Sequence, residues 1–250
     1  MPDYDFNSPR LFVDASLEEE RRVSLEPSQA NYLLNVMRLD AGAPVLAFNG
    51  RDGEWRCRID RTGKKKADLV AEARLREQTP APTLAYLFAP LKHARLDYMV
   101  QKAVEMGAGI LQPVMTQHVQ ASRVNVERMR ANAIEAAEQC GILSIPDCRE
   151  PLKFEAALQA YLARGPMIFC DEREDAESPI ETLAKLSEGP LSLLIGPEGG
   201  FSTEERARLQ GETNVTAISL GPRILRADTA AVAALAVVQA AIGDWRGASS

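Results

Sequence analysis

The sequence predicts an α/β fold: a mostly parallel sheet flanked by helices, preceded by a small β-rich module. Three observations carry that prediction. From Thr83 onward, short apolar runs alternate with amphipathic helical patterns, the signature of parallel strands joined by helices. Before that point, short strand-like segments are separated by Gly and Asn-Gly turns. Between the two stands "EQTPAPT", Glu77 to Thr83, with two prolines and no residue suited to a core. These place the domains at residues 1–77 and 78–250.

In the first domain "RLFVD" reads as the opening strand. "PSQANYLLNVMRL" reads as a helix, with Tyr32, Leu33, Val36 and Met37 at helical spacing. "APVLAFNG", "GEWRCRID" and "KADLVAEA" read as short strands. Their number and tight turns suggest a small barrel-like module.

In the second domain "TLAYLFAPL" is a strand and "ARLDYMVQKAVEMG" an amphipathic helix. Its stripe is Leu96, Met99, Val100, Ala103, Val104 and Met106, and Gly107 suits the position just past its end. The alternation continues: "ILQPVM" strand, "NVERMRANAIEAAEQC" helix, "MIFCDE" strand, "SPIETLAKLS" helix, "LSLLI" strand, "STEERARLQ" helix, "VTAISL" strand. "TAAVAALAVVQAAIG" is the last helix.

Composition narrows the function. Apolar residues make up 46% of the 250, normal for a chain with a real core. No apolar run is long enough for a transmembrane helix, and the polar, acidic start resembles no signal or transit peptide. A cytoplasmic protein without membrane partners is expected. Cys57, Cys140, Cys148 and Cys170 form no C-x-x-C pair, and His93 and His118 are the only histidines. That argues against a metal site and for free thiols. The net charge of −6 argues against indiscriminate nucleic-acid binding. Yet Arg51 to Lys66 holds seven basic residues and three acidic ones, a local +4.

Chemistry concentrates in two loops. In "LLIGPEGGFSTEE" a buried strand ends at Gly196. Ser202, with Glu205 three residues on, is a capping box that starts a helix. The glycines thus occupy the carboxyl end of a strand, where open α/β sheets bind ligands. Gly199 and Gly200 allow close backbone approach. Neither phosphate-binding glycine motif is present, and Glu198 would repel phosphate, so the loop better suits a neutral or cationic ligand. By itself the segment reads more readily as a tight strand-to-helix turn than as a ligand loop. "ISLGPRILRADTAAVAAL" repeats the layout, with Asp228 as the expected helix N-cap. If the two strands are neighbours, their loops form one pocket, walled by Ile224 and Leu225 and suited to an adenine and a ribose. Arg223 and Arg226 would face something anionic.

"LIGPEGGFSTEE" followed by "SLGPRILRADTAAVAAL" resembles the RsmE-type family, S-adenosylmethionine-dependent methyltransferases of N3 of a uridine in 16S ribosomal RNA. "LDYMVQKAVEMGAGILQPVMTQHV", "AIEAAEQCGILSIPDC" and "ANYLLNVMRLDAGAPVLAFNG" extend the likeness over nearly the whole chain. The family usually has Thr-Glu where this chain has Ala227 and Asp228, and Glu-Leu-Gly where it has Glu105-Met106-Gly107. The resemblance implies a SPOUT-type domain with a C-terminal deep trefoil knot, a PUA-like RNA-binding β-barrel before it, and a homodimer.

It also implies site residues. S-adenosylmethionine would be held by Cys170, Asp171 and Glu172; by Leu194, Ile195, Gly196, Pro197, Glu198, Gly199 and Gly200; and by Ser219, Leu220, Gly221, Arg223, Ile224, Leu225 and Thr229. Leu194, Ile195, Ile224 and Leu225 would flank the adenine. Arg226 could stabilise charge on the uracil oxygens, and Glu198 or Asp228 could take the N3 proton. The RNA, or the small ribosomal subunit, would be gripped by Arg10, Arg38, Arg51, Arg56, Lys64, Lys65, Lys66 and Arg223. Because N3 lies on the Watson–Crick edge, the base must be unpaired to react. Two other readings stand beside this one: a nucleotide- or NAD-using enzyme, and a non-catalytic RNA-binding protein of the same fold.

Overall fold

The structure is a computed structural model that describes residues 8–121, 123–171, 178–186 and 189–246. The chain forms two compact units, residues 1–80 with 137–145, and residues 81–136 with 146–250.

The first unit is built on a five-stranded sheet: β1 (Arg10–Phe12), β2 (Arg22–Ser24), β3 (Pro44–Phe48), β4 (Glu54–Gly63) and β5 (Lys66–Arg76), in the order β1-β3-β4-β5-β2. β3, β4 and β5 are antiparallel neighbours, and the alternating burial of β4 is that of strands with one solvated face. The sequence pattern foresees all of these strands except β2. The helical segment differs from its predicted stripe. α1 (Pro27–Asn31) runs into a π-helical turn at Tyr32–Val36. The wider turn rotates the sequence on its axis, so Ala30, Leu33 and Leu34 face the core while Val36 and Met37 are exposed.

Arg10 is an internal residue of this unit, only 8% exposed. Its Nε donates to Glu54 Oε1 at 2.7 Å, Nη1 donates to the carbonyls of Ala137 and Glu138, and Nη2 donates to that of Ile142. The guanidinium also lies 4.3 Å from the Phe48 ring centre. Arg76 holds the other Glu54 oxygen at 2.7 Å. Buried, and with four of its five N–H groups engaged, Arg10 does not present its charge to a phosphate, which corrects its assignment as an RNA contact. Removing one partner of a buried pair strands the other, and Arg10→Ala is expected to cost about 3 kcal/mol of stability. Denaturant unfolding, with a lowered midpoint and an unchanged slope, checks this.

The second unit contains a parallel sheet formed by β6 (Ala85–Phe88), β7 (Ile110–Met115), β8 (Asp147–Cys148), β10 (Met167–Cys170), β11 (Ser192–Ile195) and β12 (Val215–Ile218). The order is β12-β10-β11-β6-β7-β8, and β9 (Leu152–Lys153) pairs with β7. Every pairing among these strands is parallel. Central strands β6 and β11 are buried along their length, as a sheet covered on both faces requires. The covering helices are α2 (His93–Glu105), α3 (Val126–Gln139), α4 (Phe154–Leu162), α5 (Pro179–Leu183), α6 (Thr203–Gln210) and α7 (Ala227–Ile242). The α2 stripe buries Met99, Val100, Ala103 and Val104, and Gly107 takes φ +79°, which closes the helix as the sequence predicts. Among the described residues no helix is long and apolar enough to cross a membrane.

The two glycine-proline loops follow β11 and β12, which are not direct neighbours. β10 lies between them, pairing β11 on one side and β12 on the other. Because all three strands are parallel, their carboxyl ends lie at one end of the sheet, and the two glycine-proline loops emerge there.

Candidate active site

At that end the loops enclose a cavity of about 240 Å³. Cys170 and Asp171 come from β10, the run from Ile195 to Phe201 follows β11, and Leu220, Gly221, Arg223, Ile224 and Leu225 follow β12. Ala227 and Ala230 of α7 complete the wall, and their small side chains leave room for a ligand. Gly200 and Gly221 have φ of +71° and +98°, which only glycine adopts without strain.

The β11 loop is braced from several directions. Ser202 Oγ accepts the Glu205 N–H at 3.1 Å, and the Glu205 carboxylate accepts the Ser202 N–H at 3.0 Å. The other Glu205 oxygen accepts the Gln117 N–H at 2.8 Å, fastening the segment after β7 to the same helix end. His118 Nδ1 lies 3.2 Å from the Gly200 carbonyl. Phe201 packs between Phe154 and Phe169, with ring centres 6.3 and 5.9 Å away.

Several sequence-predicted residues take supporting places instead of lining the cavity. Leu194 points into the core beside Phe169 and Leu209, because successive strand residues face opposite ways. Ser219 accepts the Gly221 N–H at 3.3 Å, within its own loop. Thr229 donates its N–H to Asp228. Asp171 lines the cavity, but its carboxylate is held by Arg206 at 2.6 Å. Glu172 lies outside the described residues. Cys170 presents a neutral thiol, because burial pushes its pKa up to about 12.

Asp228 is not the cap of α7. Arg226 occupies that position, without a side-chain capping bond. Asp228, 7% exposed, turns instead toward Arg95 in the first turn of α2, with the Arg95 Nε 3.2 Å from its carboxylate. Arg95 Nη1 donates to Glu198. One guanidinium therefore joins the β11 loop to the start of α7, a link that sequence reasoning did not find. The hydrogen bond from Arg95 holds the Asp228 carboxyl below the usual carboxylate range. Arg226 stands 3.7 Å from Asp228 with its side chain 74% exposed.

Of the predicted RNA contacts, Arg38 is exposed, with φ +56°. Lys64, Lys65 and Lys66 are exposed at the β4–β5 turn. Arg51 lies 3.8 Å from Asp14, and Arg56 lies 3.4 Å from Glu72. Arg223 is exposed at the cavity mouth. Among the described residues no group of His, Cys, Asp and Glu is arranged to hold a metal ion.

A family model described as an RNA methyltransferase domain matches residues 77–239, and one described as an RNA methyltransferase PUA domain matches residues 25–72. The ribosomal RNA small subunit methyltransferase E of Rickettsia conorii is 31% identical over 234 residues, covering 92% of this chain and 94% of the relative. The chain belongs to the RsmE-type RNA methyltransferase family. The RsmE-type protein of Bacillus subtilis is 27% identical, covering 92% of this chain and 95% of its own. Among solved structures, a Neisseria gonorrhoeae RsmE-type enzyme bound to S-adenosyl methionine superposes with a TM-score of 0.84 at 24% identity, covering 95% and 99% of the two chains. A Legionella pneumophila protein in complex with the bound cofactor SAM superposes at 0.81 with 27% identity, covering 94% and 98%. The fold is accordingly the SPOUT type, with a PUA-like module at its N-terminal side.

Proposed function

We propose that this chain uses S-adenosylmethionine to methylate N3 of an unpaired uridine in 16S ribosomal RNA. One observation carries the reading: the end of β10 and the two glycine-proline loops after its neighbours β11 and β12 close on a single cavity that combines apolar side chains with backbone groups and has no phosphate-binding motif. The fit follows from the donor set. Ile195, Ile224 and Leu225 suit an adenine, and backbone groups of the two glycine-proline loops and the end of β10 suit the ribose and the amino-acid end. Glu198 suits a cationic sulfonium. When bound, S-adenosylmethionine supplies an already activated methyl group.

The residues divide the remaining work. Arg226, exposed at the start of α7, stabilises negative charge on the uracil oxygens as the N3 proton leaves. Glu198 at the rim accepts that proton. Asp228, held in its charged form by the hydrogen bond from Arg95, anchors the site. Lys64, Lys65, Lys66 and Arg38 contact the RNA backbone.

The sequence division at 1–77 and 78–250 falls close to the boundary of the compact units, apart from residues 137–145, which cluster with the first, and the second domain carries the family's trefoil knot. The enzyme works in the cytoplasm as a homodimer. In support of the dimer, α7 is apolar around most of its circumference, yet Val232, Ala236 and Val237 are only partly buried.

Calorimetry should give one S-adenosylmethionine site per chain. Incubation with unmodified small-subunit RNA or subunits, followed by nuclease digestion and mass spectrometry, should yield N3-methyluridine. Any other methylated nucleoside would refute the position, and methylated protein without methylated RNA would refute the substrate. RNA binding should weaken steeply as salt rises.

A further inference from the structure

The cofactor cavity is one end of a longer groove. A cavity of about 50 Å³ adjoins it, bounded by Pro197 and Glu198 on the cofactor side and by Leu91, Lys92 and Gln120 on the other. Those last three residues also line a larger cavity of about 600 Å³ beside α2 and the start of α3. Shared lining residues set the three spaces in a row along one surface, from the strand ends across the Pro197–Glu198 rim to the flank of α2.

The chemistry of this flank is consistent along its length. Leu91, Leu96, Val100 and Val124 give it apolar surface. Lys92 and Arg123 stand exposed, with no ion-pair partner among the described residues. The one carboxylate lining the larger cavity, Asp97, is taken up by Arg128 at 2.6 Å and by Asn132 at 3.0 Å. The groove therefore pairs uncompensated positive charge with apolar surface. Single-stranded nucleic acid needs both, cations for phosphates and apolar faces for unstacked bases. Gln120, at the narrow junction, offers an amide donor and acceptor to a base edge.

We propose that this groove carries the single-stranded RNA flanking the acceptor nucleotide and delivers its base over the Pro197–Glu198 rim. The proposal rests on the methyltransferase reading and adds a binding surface in the catalytic unit to the basic surface of the first unit. It makes Lys92 and Arg123 phosphate contacts and Gln120 a positioning residue for the base.

The test uses the full chain carrying Lys92→Ala and Arg123→Ala together, with a fluorescein-labelled single-stranded oligouridine as probe. Anisotropy should show binding weakened roughly tenfold near physiological salt. The salt dependence should become shallower by about 0.7 per lost contact, about 1.4 for the pair. Lys153→Ala, on β9 away from the groove, should behave as wild type. Calorimetry of the double variant with S-adenosylmethionine should be unchanged, so a failure of the cofactor reading is seen separately in the wild type. Unchanged oligouridine affinity and salt slope would overturn the proposal. So would a fall in molecular mass by sedimentation, which would assign the groove to a second copy of the chain.

Discussion

Gly196→Val is expected to weaken S-adenosylmethionine binding at least about a hundredfold while the sheet stays folded. A Cβ at this position would stand 2.9 Å from Phe201 Cε2 and 3.0 Å from its Cζ, closer than carbon atoms pack. The ring cannot simply retreat, since Phe154 and Phe169 lie against it. Either the ring swings or the loop lifts, and both residues line the cavity. Valine adds a second difficulty, because its branched Cβ leaves few rotamers with which to escape. Overpacking of this kind costs about 1–3 kcal/mol, which a folded domain usually survives. Calorimetry reads the affinity, and a cooperative thermal transition certifies the fold. Wild-type affinity in a folded Gly196→Val chain would mean that the cofactor does not touch this loop. Gly196→Ala should fall between the two, since a single methyl asks less of Phe201.

The contrast between Gly196 and Asp228 marks what local sequence can convey. The Ser202–Glu205 capping box spans three residues, and the structure makes both of its bonds. Gly107 announces the end of α2 in the same short-range way. Asp228 looks like a cap by the same logic, yet its partner is Arg95, 133 residues earlier, and no local pattern records that pairing. Arg10 fails for the same reason. An arginine near a strand start reads as surface charge, and only Glu54, 44 residues on, makes it an internal one. The two-residue strands β8 and β9 are too short to carry a period. α4 is different: Phe154, Ala157, Leu158 and Tyr161 are buried at helical spacing, so its signal was present in the sequence. The site loops were legible because glycine, proline and a cap together interrupt apolar runs. That β10 intervenes between β11 and β12 was not, because strand order depends on pairings remote in sequence.

Arg95→Ala is expected to lower kcat/KM for methyl transfer by roughly a hundredfold, the scale at which small misplacement of reacting groups acts. Arg95 is a positioning residue, joining Glu198 on the β11 loop to Asp228 on α7 across the mouth of the cavity. Its planar fork serves two carboxylates at once, so Arg95→Lys, with one compact charge, should recover only part of the activity. A change in acid stability separates this role from a merely local one. In the wild type Asp228 titrates below its ordinary value of 3.8, chiefly because of the hydrogen bond from Arg95. A carboxylate lowered on folding contributes stability that is present above its unfolded pKa and fades as pH falls through the folded one. The wild-type acid limb from this group therefore lies below 3.8. Without Arg95 the desolvation of a buried carboxyl is opposed mainly by the Thr229 N–H and Arg226, so its pKa rises toward the unfolded value and the acid-dependent stability from this group shrinks. Thermal melts from about pH 2 to about pH 7 should show a smaller acid-induced loss of stability in Arg95→Ala than in wild type, and adding Asp228→Asn to Arg95→Ala should leave little further change. If the acid-induced loss is as large in Arg95→Ala as in wild type, Arg95 is not what keeps Asp228 charged, and its bridge to Glu198 alone would have to account for any loss of rate.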